Sequence, residues 1–169
     1  MFDVIGFDAD DTLWHNESIF SMTQEKFREI LSSYSPELVD QTLSSTQIKN
    51  LEIFGYGIKG FILSMIETSI EITDGEIKGN EIQQILDFGR EMLAAPIELL
   101  PYVQEVVDEL AKKYHLLLIT KGDLIDQETK IARSGLADYF TGVEIVSDKN
   151  SETYEKIYPV MILLHHVSL

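Results

Sequence analysis

The chain opens with a short apolar run, Phe2 to Phe7, rich enough in apolar and β-branched residues to lie inside a sheet. The period then changes. Between Asn16 and about Pro96, apolar residues recur at helical spacing: Ile19, Met22, Phe27, Ile30 and Leu31 mark one stretch, and Phe61, Ile62, Met65, Ile66 and Ile70 a second. Ile82, Ile85, Leu86, Met92 and Leu93, with Gly89, mark a third. Gly55, Gly57 and Gly60 are expected to break the region between helices, and Pro96 to end the last of them. After Pro101 a helix through Val103, Val106, Val107, Leu110 and Ala111 leads into a second apolar run, Leu116 to Ile119, which ends in Thr120-Lys121-Gly122-Asp123. A helix from about Leu124 to Arg133, closed by Gly135, precedes a third strand at Val143 to Val146.

Strand, helix and strand alternate in the second half, which predicts a parallel sheet with right-handed crossovers. The helical block leaves after the first strand and returns before the next, so it reads as an insertion. The expected fold is α/β: a Rossmann-like three-layer core from residues 1–14 and 97–169, with an inserted α-helical cap spanning 15–96. The polar clusters after Phe7, Ile119 and Val146 all fall at the carboxyl ends of strands, where open α/β sheets bind ligands.

Charge narrows the partners. The 169 residues carry 29 acidic and 13 basic side chains, a formal net charge of −16, which leaves no basic patch for a nucleic acid or an anionic membrane surface. Cysteine is absent, which excludes disulfides and thiol catalysis. No basic segment followed by an apolar core precedes Asp8, and no apolar run reaches the length of a membrane span, so a cytoplasmic protein is expected.

The first polar cluster is chemically costly. Asp8, Asp10 and Asp11 place three acids within four residues at the end of a buried strand. Their repulsion and desolvation call for a compensating cation, and a divalent metal is the expected one. Asp11 alone reads as a turn former. Trp14 and His15 follow where the chain leaves for the insertion. They either line a substrate entrance or, in the case of Trp14, anchor a hinge.

Phe7-Asp8-Ala9-Asp10-Asp11-Thr12-Leu13 resembles the Asp-x-Asp-x-Thr signature of the haloacid dehalogenase superfamily. Leu117-Leu118-Ile119-Thr120 resembles its second motif. Lys149, within Asp148-Lys149-Asn150-Ser151-Glu152-Thr153-Tyr154, resembles its third, basic motif, ahead of the competing Lys121, Lys130 and Lys156. The resemblance implies that Asp8 is the nucleophile and Asp10 the general acid and base. It implies Mg2+ on the Asp8 carboxylate and the Asp10 backbone carbonyl. Thr120 and the backbone N–H of Lys121, in a loop leading to a helix, would bind phosphate, Lys149 would neutralise charge on Asp8 and the phosphate, and the Thr12 hydroxyl would stabilise the turn. Dehalogenating members lack an Asp at position 10. Its presence favours hydrolysis of a small phosphorylated metabolite through an aspartyl-phosphate, with phosphomutase chemistry sharing the same residue.

The family's fourth motif, an acidic pair after a further strand, has no counterpart here, for no Asp or Glu follows Glu155. One reading has Val160 to Leu164 stand in for the missing strand, with His165 or His166 at its end. The preferred one is a truncated or frame-shifted member whose metal affinity and turnover are weak. A non-catalytic remnant that binds phosphate or a partner is the alternative from another class. An uncovered sheet edge would make a homodimer a candidate assembly.

Overall fold

The computed structural model describes residues 3–157. Phe2, the Val160 to Leu164 segment, His165 and His166 lie outside the described residues. The chain forms two compact units: the described residues of Met1–Asn16 and Pro96–Leu169 make one, and Glu17–Ala95 the other.

Among the described residues, three parallel strands build the first unit: β1 (Val4–Phe7), β2 (His115–Lys121) and β3 (Gly142–Val146), in the order β1-β2-β3. Val4 pairs with His115 and Phe7 with Leu118, while Leu117 pairs with Gly142 and Lys121 with Val146. The central strand is buried from Leu116 to Thr120, as expected where both faces of a parallel sheet are covered. Its side chains alternate between two clusters. Leu116 and Leu118 pack with Leu13, Trp14, Val107, Ile131 and Leu136, and Leu117 and Ile119 with Ile157. Gly142 starts β3 because a Cβ there would lie 2.7 Å from the Leu117 side chain.

Two helices flank β2 in sequence, α5 (Val103–Ala111) and α6 (Leu124–Ser134). Asp123 caps α6 by accepting from the Asp126 N–H, and Gly135 ends it in the left-handed region at φ 74°. A short 3-10 turn, Ala137–Tyr139, leads into β3, and residues 151–157 are again helical.

The second unit consists of α1 (Glu17–Ile30), α2 (Pro36–Phe54), α3 (Ile58–Ile72) and α4 (Gly79–Ala94). Phe27, Leu31, Val39, Leu43, Phe61, Met65 and Ile85 are among the residues of its core. Four positions expected in apolar stripes, Met22, Ile70, Leu86 and Leu93, are instead exposed. The apolar pattern does not delineate α2, because its buried stripe, Val39, Leu43, Thr46 and Asn50, is half polar. Its start is nevertheless locally encoded: Ser35 accepts from the Leu38 N–H and Pro36 occupies the first turn.

Gly60 corrects an expectation. It does not separate helices but sits in the first turn of α3, where a Cβ would lie 2.9 Å from the Gly55 carbonyl oxygen. The residue is glycine for close packing, while Gly55, at φ 70°, makes the break. No helix among the described residues is long and apolar enough to cross a membrane.

Candidate active site

The strand register gathers the polar clusters at one edge of the sheet. Phe7 pairs with Leu118, so Asp8 follows β1 at the level where β2 reaches Ile119 and Thr120. Val146 pairs with Lys121, so Lys149 lies three residues beyond the same edge.

Asp8 leaves β1 with its side chain nearly half exposed, at 46%. Its Oδ1 accepts from the Ala9 N–H at 2.8 Å and forms an ion pair with the Lys149 ammonium. Both contacts fall on Oδ1, which leaves Oδ2 without a partner among the described residues. The loop after it is a tight turn: the Thr12 and Leu13 N–H groups donate to the Ala9 carbonyl at 3.1 and 2.8 Å, and the Asp11 N–H donates to that of Trp14 at 2.9 Å. Asp11 adopts φ 55° and its carboxylate accepts from the Asn16 N–H at 2.9 Å. Asp is one of the few residues that tolerate this region, so Asp11 shapes the loop. Thr12 is exposed, and the turn bond it makes is the backbone one.

Asp10 sits in a different environment, with its side chain 22% exposed. Oδ1 accepts from the Trp14 indole N–H at 2.8 Å and Oδ2 from the Gln127 amide at 2.8 Å. The Lys130 ammonium lies 3.1 and 3.3 Å from the two oxygens. Lys130 also donates to the Asn16 amide oxygen at 2.9 Å and lies 3.6 Å from the Asp126 carboxylate. Burial pushes the Asp126 carboxyl above its ordinary range, and the Lys130 charge opposes that shift. Trp14, left between entrance and anchor, is buried and bonded to Asp10.

Thr120 is buried at the end of β2, and its hydroxyl has no hydrogen-bond partner among the described residues. Such an orphan costs on the order of 1–3 kcal/mol, which an anionic ligand oxygen would recover. Lys121 is placed differently from the expectation. It is the last residue of β2 and not part of a loop, because its backbone continues the ladder to Val146. Its carbonyl accepts from Gln127 at 3.1 Å, and its ammonium lies 3.8 Å from Asp148.

Gln127 was not singled out in the sequence, and Lys130 entered only as a competitor of Lys149 for the basic motif, not as a partner of Asp10. The one local signal is their spacing on α6, which puts them on one helix face just after the strand that ends in Thr120.

Among the described residues no three His, Cys, Asp or Glu side chains gather to hold a metal ion. The Asp8 carboxylate and the Asp10 backbone carbonyl are hard oxygen donors. They suit a cation such as Mg2+, which keeps several waters and takes one or two carboxylates together with substrate phosphate.

The comparisons with known proteins bear on this arrangement. A crystal structure of a haloacid dehalogenase-like family hydrolase from Xanthomonas campestris superposes with TM-score 0.87 at 45% identity, over 92% of this chain and 66% of that one. The present chain thus spans about two thirds of that relative's length. Two more distant structures share the fold: L-2-haloacid dehalogenase from Xanthobacter autotrophicus (TM-score 0.54, 18% identity, 86% of this chain and 57% of that one) and a predicted phosphoglycolate phosphatase from Haemophilus somnus (0.54, 19%, 94% and 72%). No curated protein matches the chain. The haloacid dehalogenase-like hydrolase family model matches residues 2–164 and so takes in both Asp8 and Lys149; the chain belongs to that hydrolase family.

Proposed function

We propose that the protein hydrolyses phosphate monoesters of small metabolites, with Mg2+ held by the Asp8 carboxylate and the Asp10 backbone carbonyl. The observation that carries this reading is the hydrogen-bonded carboxyl of Asp10 two residues after Asp8. Displacing halide from carbon needs no acid for the leaving group, whereas an alkoxide leaving phosphorus does. The dehalogenase and the phosphatase share this fold, so the choice rests on the side chains.

In this reading Asp8 attacks phosphorus, the bond to the ester oxygen breaks, and that oxygen takes a proton from Asp10. Water then attacks the aspartyl-phosphate and gives a proton to Asp10, and the bond to Asp8 breaks to release phosphate. The Thr120 hydroxyl donates to a phosphoryl oxygen, while Lys149 holds Asp8 and offsets the charge of the incoming phosphate. When bound, Mg2+ lowers the repulsion between the anionic nucleophile and an anionic phosphoryl group. The helical unit Glu17–Ala95, inserted between β1 and β2, is the proposed cap.

The test is release of phosphate from a chromogenic phosphate ester and of halide from a 2-haloacid, by pure protein with and without chelator. Phosphate release that chelation and Asp8→Asn both abolish supports the reading. Halide release without phosphate release overturns it, and phosphate transfer between sugar positions assigns a mutase instead.

A further inference from the structure

We propose that Gln127 and Lys130 of α6, together with Trp14, are positioning residues that hold the Asp10 carboxyl in the orientation from which it transfers protons; the inference rests on the phosphatase reading. Each Asp10 oxygen is engaged from two sides. Oδ1 faces the Trp14 indole and Lys130, and Oδ2 faces Gln127 and Lys130. A carboxyl held in this way cannot turn about its own axis without losing at least one bond.

The orientation of Gln127 is itself determined. Its Nε2 lies 2.8 Å from Asp10 Oδ2 and 3.1 Å from the Lys121 carbonyl, two acceptors that only the NH2 end can serve. The opposite end, Oε1, is consequently buried without a hydrogen-bond partner among the described residues. Leaving an acceptor unpaired is unfavourable, so the packing holds the amide on Asp10 against that cost. Gly122 makes room for it: at φ 151°, a Cβ there would lie 2.8 Å from Gln127 Nε2. Lys130 is anchored from behind by Asn16 and Asp126, and its side chain is only 12% exposed. Gln127 and Lys130 are three residues apart on α6 and reach Asp10 across more than a hundred residues of chain.

A buried polar tie that merely pins the Asp10 loop to α6 would look similar, so the test must separate chemistry from scaffolding. The value of kcat/KM covers only the steps through phosphoryl transfer to Asp8, in which Asp10 protonates the leaving oxygen. An alkyl phosphate depends on that proton. The nitrophenolate of p-nitrophenyl phosphate leaves as a stable anion and depends on it little. For Lys130→Met, kcat/KM should fall about tenfold or more with the alkyl ester and less than about threefold with p-nitrophenyl phosphate. Gln127→Leu should show the same asymmetry to a smaller degree, and Lys130→Arg should restore most of the loss.

Equal losses with both esters would assign a structural role and overturn the proposal, as would no loss with either. If thermal melting shows that Lys130→Met does not fold, the ratio for Gln127→Leu decides by the same criterion. Wild-type protein that hydrolyses neither ester overturns the phosphatase reading, and the proposal with it, before any variant is compared.

Discussion

In the helical unit three buried hydroxyls bond within their own helices, while that of Thr68 has no partner among the described residues. Thr23 donates to the Ile19 carbonyl, Ser64 to that of Gly60 and Ser69 to that of Ile66. In the sheet-containing unit the polar side chains of the candidate site reach across the sequence: Gln127 and Lys130 meet Asp10, and Lys149 meets Asp8, each more than a hundred residues away. The first pattern satisfies a polar group wherever a helix forms and asks nothing of the fold. The second exists only when β1, β2 and α6 are assembled, so it couples the geometry of the site to the packing of the sheet. Asn50, which bonds Ser64 and Glu67, is an exception in the helical unit.

Substitutions should separate the two regions by what they cost. The largest effect is expected for Asp8→Asn, which, on the proposed phosphatase reading, should lower kcat by at least about a thousandfold through loss of the proposed nucleophile. Because Asp8 is nearly half exposed, the same change should shift stability by less than about 1 kcal/mol, read from urea midpoints. Phe27→Ala should do the opposite in kind. It empties a fully buried site in the helical unit and should cost about 3–5 kcal/mol in the same measurement. A large stability loss in Asp8→Asn would erase the distinction.

Two glycines make a finer comparison. Gly60→Ala presses a methyl against a backbone carbonyl and should destabilise by about 1–3 kcal/mol without a specific effect on the site. Gly122→Ala should cost about 1–3 kcal/mol through its positive φ, and it should also displace the Gln127 amide and lower phosphatase kcat/KM. Kinetics and urea unfolding on both variants check the contrast. Unchanged kcat/KM in Gly122→Ala would detach Gln127 from the site.

The same contrast explains what could be read in the sequence. The three strands and α6 were legible because their signals are local: an apolar run, a change of period, Asp123 before the helix and Gly135 after it. Strand ends then named Asp8, Thr120 and Lys149 as candidates, and the structure brings Asp8 and Lys149 into an ion pair. The contacts of Gln127 and Lys130 with Asp10 were not legible, since polar residues on an amphipathic helix look alike whether they face solvent or a partner far away in sequence. Gly60 was misread for a related reason: its role is set by the Gly55 carbonyl across a turn, which no periodicity displays.

The smallest effects expected are in pH dependence, and they should have opposite signs in the two units. In the helical unit Arg28 forms paired hydrogen bonds of 2.8 and 3.0 Å to Asp40 and holds its carboxyl below the ordinary 3.8, helped by Gln24 and opposed by burial. Its contribution is present above the unfolded value and lost as pH falls through the depressed folded value. Asp126 is the reverse. Burial raises its carboxyl above 3.8, so the folded state binds this proton more tightly than the unfolded state does. Stability is therefore regained as pH falls through the raised value and is fully regained below the unfolded one. The Asp40 effect should be about 1 kcal/mol or less because the pair is about a third exposed. Urea midpoints of wild type, Asp40→Asn and Asp126→Asn at pH 7 and at about pH 3 measure both. On acidification the advantage of wild type over Asp40→Asn should shrink, while its standing against Asp126→Asn should improve. If both differences move in the same direction, the carboxylates of the two units are not held by different forces, and the comparison fails at the level of single charges.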